Sequence, residues 1–246
     1  MISLSAVIPA YNEEDNVGEM IEALAATLEP ITADYEIVVD DDGSRDRTAL
    51  VMSEYASRYP RVRLVRHDIN QGYGAAVLTG LTTSVKDWIF FTDADRQFDL
   101  NEVHRLLSLA HGTDLIVGYR APRRDPFTRR LNGWGWSTLV NTLFGYTARD
   151  IDCAFKLIRR EVVANIQHRI VSRGATFSAE FLVLARRAGY RIAEVPLAGH
   201  RPRIAGQPTG ARLGVILRAF RELIRLRWRM RGNPLASPRA SSRPMV

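Results

Sequence analysis

The sequence predicts an α/β fold, an open and mostly parallel Rossmann-like sheet with helices on both faces. Short apolar runs alternate with amphipathic stretches over the first 120 residues, which is the order of repeated β–α units. The apolar runs have no polar face, which is typical of strands buried on both sides of a parallel sheet. Apolar residues make up 46% of the 246 residues, enough for the core of one domain.

Each element of the first part follows from its own pattern. Strands are predicted at 4–9, 35–40, 62–66, 88–93 and 114–119. The first helix is predicted from apolar residues at helical spacing, with Asn12 as its N-cap. Those residues are Val17, Met20, Ile21, Leu24 and Leu28. Further helices are expected near 46–59, 74–84 and 100–110.

The pattern changes after residue 120. Helices are predicted at 127–146 and 177–189, a strand at 191–196, and a basic amphipathic helix at 212–231. We expect one domain over 1–211, with a ligand-binding half at 1–120 and a second half at 121–211. Residues 232–246 have no apolar period and are expected to be disordered.

The charge is divided unevenly along the chain. Residues 1–100 carry 18 acidic and 8 basic side chains, whereas the remainder carries 9 and 26, so the net charges are −10 and +17. An acidic half suits a bound cation, and a basic half suits phosphates or an anionic membrane surface. No helix-turn-helix or RNA-binding pattern accompanies the basic residues, so nucleic acid is not an expected partner.

The cysteine count and the apolar runs limit the compartment and the kinds of metal site that the sequence allows. Cys153 is the single cysteine, which excludes an internal disulfide and a cysteine-based zinc site. The N-terminal apolar run reads as a strand and not as a signal peptide, and no apolar stretch has the length of a membrane span. We expect a cytoplasmic protein, peripheral on the inner face of the cell membrane.

The sharpest candidate site is Asp93 and Asp95, which directly follow an apolar strand. Ligands of open α/β sheets bind at the carboxyl ends of strands, where two carboxylates can hold Mg²⁺ or Mn²⁺ beside a diphosphate. A surface turn or a helix cap is the alternative for an isolated Asp pair. Acidic and polar clusters also follow the first two strands, at 9–14 and 40–44, which favours a shared site.

These segments together resemble glycosyltransferase family 2, and within it the dolichol-phosphate mannose synthase group. The matching segments, in order, are Val-Ile-Pro-Ala-Tyr-Asn-Glu-Glu at 7–14, Val-Val-Asp-Asp-Asp-Gly-Ser at 38–44, Asn-Gln-Gly-Tyr-Gly-Ala-Ala at 70–76 and Asp-Ala-Asp-Arg-Gln at 93–97. The resemblance covers about residues 4–206 and implies a GT-A fold and a nucleoside-diphosphate-sugar donor.

The resemblance also implies roles for individual residues. Asp93 and Asp95 would bind the metal, with Asp93 and Gln97 beside the donor, and Arg120 would contact the donor sugar or the acceptor phosphate. Asp152 and Glu180 match family acids and are candidate general bases, although an ion pair with an arginine is the alternative for each. The nucleoside pocket would be lined by Pro9, Ala10, Tyr11, Glu13 and Asp41.

The chain departs from the family pattern at four positions. Ala154 and Lys156 replace the usual Gly and Arg, and Tyr73 stands where the family often has a lysine. In the later loop Arg203 matches the family arginine, whereas Thr209 replaces a lysine that grips the diphosphate. The changes at Tyr73 and Thr209 weaken the mannose-synthase assignment more than the glycosyltransferase assignment.

The predicted reaction is inverting transfer of a hexose from a donor of the GDP-mannose or UDP-glucose type to a polyprenyl phosphate. A soluble or saccharide acceptor is the alternative within the enzyme class, and a non-catalytic membrane-surface scaffold is the alternative outside it. A dinucleotide-dependent dehydrogenase is disfavoured because the first turn has no glycine, and no phosphate-binding-loop signature occurs.

Overall fold

A computed structural model describes residues 2–122, 127–201 and 213–231. The described residues contain seven strands in one sheet, in the order β3-β2-β1-β4-β6-β5-β7. They are β1 (Leu4–Ala10), β2 (Tyr35–Asp41), β3 (Val62–Arg66), β4 (Trp88–Thr92), β5 (Leu115–Arg120), β6 (Phe155–Arg159) and β7 (Ile192–Leu197). Strand β6 runs antiparallel to both of its neighbours, and the other pairs are parallel. The predicted open, mostly parallel sheet is confirmed.

The helices lie on both faces of this sheet. They are α1 (Val17–Leu28), α2 (Thr48–Arg58), α3 (Tyr73–Thr83), α4 (Val103–Leu107), α5 (Phe127–Phe144), α6 (Arg160–Ile166), α7 (Phe177–Arg187) and α8 (Leu213–Arg231). The helix predicted near 100–110 is shorter than expected, because a 3₁₀ turn at Leu100–Glu102 precedes α4. The predicted tail at 232–246 lies outside the described residues.

Two elements were missed by the sequence analysis, β6 and α6. The β6 sequence Phe-Lys-Leu-Ile-Arg has a lysine as its second residue, among apolar residues, and is only 5 residues long. It nevertheless lies between β4 and β5, and Lys156 is buried. A charged residue inside a central strand hides that strand from a pattern of apolar residues, because lysine is rarely fully buried without a partner.

The predicted cap of α1 was wrong. The helix begins at Val17, one residue after Asn16, and Asn12 lies in a left-handed turn with φ of 54°. The side-chain oxygen of Asn12 instead accepts a hydrogen bond from the backbone N–H of Arg45 at 2.9 Å. Asn12 therefore joins two loops at the carboxyl end of the sheet and does not cap a helix.

The sheet separates two hydrophobic cores. Apolar residues of α1, including Met20, Ile21 and Leu24, pack on one face, and residues of α3 and α7, including Val77 and Phe181, pack on the other. Burial of each such side chain contributes about 1.5–3 kcal/mol relative to exposure. The cores thus fix both faces, and the carboxyl ends of the parallel strands remain available for a site.

Candidate active site

The loops that follow β1 and β2 are joined by hydrogen bonds between their backbones and side chains. The N–H of Asn12 donates to the hydroxyl of Ser44 at 2.9 Å, and the N–H of Glu13 donates to the hydroxyl of Thr48 at 2.8 Å. Tyr11 is 38% exposed at the start of the first loop. Two of the predicted strand-end clusters therefore form one surface, with an aromatic ring open to a ligand.

Asp41 lies at the base of this surface. One of its carboxylate oxygens accepts the N–H of Ser44 at 2.9 Å, and the other is 3.2 Å from the guanidinium of Arg66. A cavity of about 310 Å³ borders Asp41, Arg66 and the apolar side chains of Met52 and Leu64. By contrast, Pro9 and Ala10 are buried within β1, so a nucleoside would meet this part of the chain through Tyr11, Asp41 and backbone groups.

A buried polar cluster supports the end of β2 from the opposite face. Asp40 has no exposed surface, and neither carboxylate oxygen has a hydrogen-bond partner among the described residues. His67 lies between Asp42, whose oxygen is 2.8 Å from Nδ1, and Asp40, whose oxygen is 3.8 Å from Nε2. Burial raises the pKa of Asp40 to about 7, although the neighbouring His67 opposes the shift.

Asp93 and Asp95 follow β4 at the centre of the same edge. The hydroxyl of Tyr73, the first residue of α3, donates to Oδ1 of Asp93 at 3.0 Å. Burial raises the pKa of Asp93 to about 7, repulsion from Asp95 adds to the shift, and the Tyr73 hydrogen bond opposes it. Asp95 is therefore close enough to disfavour ionisation of Asp93.

Asp152 and Lys156 complete this cluster from the segment before β6 and from β6 itself. Asp152 reaches the surface, yet desolvation by the surrounding protein raises its pKa to about 6, with Asp150 adding to the shift. Lys156 is buried beneath the cluster, donates to the carbonyl of Cys153, and lies 5.6 Å from the ring centre of Phe91. Burial lowers the pKa of its ammonium group, whereas the nearby acids favour the charged form.

The donor groups present at this edge suit Mg²⁺ or Mn²⁺. Both ions prefer carboxylate oxygens and complete their coordination with phosphate and water. Within residues 2–122, 127–201 and 213–231, no three His, Cys, Asp or Glu side chains converge as a self-sufficient metal site. The Asp93–Asp95 pair offers two carboxylates, which is fewer ligands than either ion takes.

Arg120 lies at the end of β5 and is paired with Asp150. Its guanidinium donates two hydrogen bonds of 2.7 Å to the carboxylate. A cavity of about 440 Å³ opens beside the pair, lined by Arg130 and Arg149 together with the apolar side chains of Leu131 and Trp134. Cationic and apolar groups thus meet in one cavity, and two of its lining residues, Arg120 and Asp150, interact electrostatically with Asp152. Asp150, which sequence reasoning missed, is the residue that orients Arg120.

Two other predicted site residues, Gln97 and Glu180, have different surroundings. The side chain of Gln97 donates to the carbonyl of Arg201 at 3.1 Å, so it joins the turn after Asp95 to a distant segment. Glu180 is fully buried and paired with Arg229, which favours the ion-pair alternative over a general base. Arg203 and Thr209 lie outside the described residues.

Comparisons with known proteins agree with this architecture. The profile of glycosyl transferase family 2 matches residues 5–167. A dolichyl-phosphate beta-glucosyltransferase of Trichomonas vaginalis is 31% identical over 209 residues, which cover 78% of this chain and 62% of the relative. An undecaprenyl-phosphate 4-deoxy-4-formamido-L-arabinose transferase of Pectobacterium carotovorum is 32% identical over 68% of this chain and 51% of its own length. The chain thus spans only part of the length of these relatives.

Solved structures show the same fold at low identity. Glucosyl-3-phosphoglycerate synthase from Mycobacterium tuberculosis has a TM-score of 0.68 at 18% identity, covering 92% of this chain and 80% of that chain. Mannosyl-3-phosphoglycerate synthase from Rubrobacter xylanophilus has a TM-score of 0.65 at 19% identity, covering 97% and 78%. The fold agrees with these enzymes and the sequence with a family profile over most of the chain, so the chain belongs to glycosyl transferase family 2.

Proposed function

We propose that the chain is an inverting, divalent-metal-dependent glycosyltransferase that moves a hexose from a nucleoside-diphosphate sugar to a polyprenyl phosphate. The observation that carries the proposal is the Asp93–Asp95 pair after β4, which shares the neighbour Lys156 with Asp152. Asp152 in turn interacts electrostatically with Arg120 and Asp150, which line the cavity of arginine and apolar side chains. The relatives named above act on lipid phosphates by their names. A cavity with Arg130 and Arg149 beside Leu131 and Trp134 has the chemistry to take a phosphate joined to an apolar chain.

The side chains divide the work of transfer. Tyr11 and Asp41 would bind the nucleoside, and Mg²⁺ or Mn²⁺ held by Asp93 and Asp95 would offset the charge of the departing diphosphate. The Arg120 guanidinium, oriented by Asp150, would hold the acceptor phosphate in line with the anomeric carbon. A phosphate is already an anion at neutral pH, so its attack needs no general base. Arg203 remains a proposed contact of the diphosphate.

A transfer assay tests this function directly. The protein is incubated with Mn²⁺ and radiolabelled UDP-glucose or GDP-mannose, and with one of three acceptors: a polyprenyl phosphate, the matching polyprenol, or 3-phosphoglycerate. Of the three acceptors, we expect only the polyprenyl phosphate to give label in the lipid fraction, and we expect EDTA to abolish transfer. Transfer to phosphoglycerate would replace the lipid acceptor with a soluble one.

Matched variants separate an enzyme from a scaffold. Asp95→Asn should lower transfer by about 10²–10³-fold, because it removes charge stabilisation of the leaving group. Asp34→Asn changes an exposed acid paired with Lys86 and should leave transfer unchanged. If the wild type neither transfers sugar nor hydrolyses either donor with Mn²⁺, the scaffold alternative is correct.

We further propose that α8 binds an anionic membrane surface. Among the described residues, no helix has the length and hydropathy to cross a membrane. One side of α8 packs on the core through Leu223, Leu226 and neighbouring residues. A second stripe is exposed, with Phe220 at 42%, Ile224 at 55% and Trp228 at 68%. Exposed arginines flank it at positions 218, 221 and 225, and the combination suits an anionic interface.

Sedimentation with vesicles tests the membrane proposal. We expect co-sedimentation with phosphatidylglycerol vesicles at low salt, and weaker binding at high salt or with neutral vesicles. Ile224→Ser and Trp228→Ser together should lower binding, whereas Thr138→Ser, an exposed change on α5, should not. Equal binding by all forms would remove α8 from the interface.

A further inference from the structure

The segment before α7 lies between two helices, and one of them begins at the site. Its Arg173 carbonyl accepts the backbone N–H of Gly74, in the first turn of α3, at 2.8 Å. The N–H of Ala75 is shared between this carbonyl at 3.3 Å and the carbonyl of Gly72 at 2.8 Å. The Arg173 guanidinium donates to the side chain of Gln71 at 2.8 Å. This segment therefore holds the N-terminal turn of α3 in place.

Close approach of the two backbones depends on glycine. A Cβ at Gly72 would lie 2.5 Å from the carbonyl oxygen of Arg173, and a Cβ at Gly74 would lie 2.9 Å from that of Ser172. Gly72 also has φ of 101°, a conformation that favours glycine. Tyr73 stands between these two glycines, so its backbone is fixed on both sides.

Glu180 and α8 support the same segment from behind. One carboxylate oxygen of the fully buried Glu180 accepts the N–H of Ser172 at 2.7 Å and that of Val171 at 3.2 Å. The other oxygen is paired with the guanidinium of Arg229 on α8. A buried carboxylate is tolerated only when hydrogen bonds and a counter-charge compensate it, and Glu180 has both.

The chain of contacts ends at the proposed metal ligand. Tyr73 donates its hydroxyl to Asp93, and the N–H of Gly72 is held by Oδ2 of Asp42 at 2.9 Å. Hydrogen-bond partners of metal-binding carboxylates set the orientation of those ligands. The position of Tyr73 thus depends on the segment that Glu180 and Arg229 hold.

We propose that Glu180 is a positioning residue: with Arg229 it holds the 171–176 segment against the start of α3 and so keeps the Tyr73 hydroxyl on Asp93. Glu180 takes no proton from the acceptor. The expected effect on metal binding rests on the proposed function. The contact between the 171–176 segment and the start of α3 does not depend on that function. It assigns α8 a second task, since this helix provides the counter-charge for Glu180.

Hydrogen exchange tests the link without any ligand. In Arg229→Met the amide of Gly74 should exchange about tenfold faster than in the wild type, because the segment that accepts its hydrogen bond is released. The amide of Ala75 should change less, since it also donates to the carbonyl of Gly72 at 2.8 Å. Glu180→Gln should also increase the exchange rate, but by a smaller factor, since glutamine keeps the shape of the side chain. Arg229→Lys keeps the charge and should restore most of the protection. Arg160→Met, at an exposed arginine that begins α6, serves as the control and should leave the exchange at Gly74 unchanged.

Binding of Mn²⁺ at a fixed concentration of UDP or GDP, followed by the electron paramagnetic resonance signal of the free ion and compared with the same mixture without protein, tests the consequence. Tyr73→Phe should weaken binding roughly tenfold, as loss of an outer hydrogen bond does at other metal sites. Arg229→Met should weaken it by a similar factor, and the double variant should be no weaker than Tyr73→Phe alone, because both changes act through one hydroxyl.

Each outcome decides the matter. Unchanged exchange at Gly74 in both Arg229→Met and Glu180→Gln overturns the inference, as does a double variant whose losses multiply. Loss of transfer in Glu180→Gln with unchanged exchange would restore the role of general base. Failure of the wild type to transfer sugar would overturn the proposed function and leave the exchange result valid. If Arg229→Met does not fold, the comparison of Glu180→Gln with Arg229→Lys gives the same decision.

Discussion

The acids near the carboxyl edge of the sheet fall into two groups with different surroundings. Asp40 and Asp93, at the ends of β2 and β4, have raised pKa values because burial and neighbouring acids disfavour their charge. Asp150 and Glu180, on the side of α5 and α7, are each bonded to an arginine. Acidic residues thus have two different roles near the same edge of the sheet. The arginine-paired acids fix the structure, and the mutually repelling acids are available for a cation or a proton.

The Arg120–Asp150 pair provides the largest expected effect on the stability of the fold. The side chains are only 12% and 7% exposed, and removal of one partner from a buried pair costs roughly 3–5 kcal/mol because the other charge stays uncompensated. We expect Asp150→Asn to lower the free energy of unfolding in urea by about that amount. The exposed pair Lys86–Asp34 is the control, and Lys86→Met should cost less than about 1 kcal/mol.

Steady-state kinetics of an Arg120 variant test whether the Arg120–Asp150 pair also acts in catalysis. If Arg120 holds the acceptor phosphate, Arg120→Lys should raise the KM for the lipid phosphate more than it lowers kcat, because lysine keeps the charge and loses the two-pronged geometry. Equal KM values in the two proteins would make Arg120 a purely structural residue. The comparison between the two groups of acids would then lose its catalytic meaning.

Much of this fold was predictable from periodicity, whereas the pairing of charges was not. The apolar residues of α1 occupy the predicted face, and the strand ends carry the predicted polar clusters. Glu180 and Arg229 are 49 residues apart, and Arg120 and Asp150 are 30 apart. With 34 basic side chains in the chain, spacing alone cannot select the partner of a given acid. For the same reason the role of Lys156 became visible only when β6 was placed between β4 and β5.

Asp40 gives the second prediction, which concerns the group without arginine partners. Its pKa is raised from 3.8 to about 7, so the folded protein keeps a proton that the unfolded chain loses above about pH 4. Stability should therefore fall as the pH rises through that window and level off above about pH 7. In Asp40→Asn this contribution is absent. We expect the variant to gain at least about 1.4 kcal/mol relative to wild type between pH 5 and pH 8, the equivalent of one pKa unit.

Urea unfolding at pH 5 and at pH 8 measures this difference. Asp34→Asn, an exposed acid of the same half, should follow the wild type at both pH values. Parallel pH dependences of wild type and Asp40→Asn would mean that His67 compensates the buried carboxylate fully. Asp40 would then belong with the paired acids, and the division between the groups would follow burial instead of partner type.

Asp152 gives the smallest expected effect and separates the two kinds of acceptor. Its pKa of about 6 leaves it ionised at neutral pH, where it has the charge required of a general base. A hydroxyl acceptor would need that base, and Asp152→Asn would then lower kcat by about 10²–10⁴-fold. A phosphate acceptor arrives as an anion, so we expect Asp152→Asn to lower kcat by less than about tenfold.

The dependence of kcat on pH in Asp152→Asn tests whether Asp152 is a general base. The profile of the wild type alone is ambiguous, because burial raises the pKa of Asp93 to about 7 in the metal-free protein, and protonation of this proposed ligand would weaken metal binding. Asp152→Asn leaves that limb in place, so only the difference between the two profiles reports on Asp152. Measured as kcat from pH 5 to pH 8 with a polyprenyl phosphate, the two profiles should be parallel. An acidic limb near pH 6 that disappears in the variant would make Asp152 the base and favour a hydroxyl acceptor.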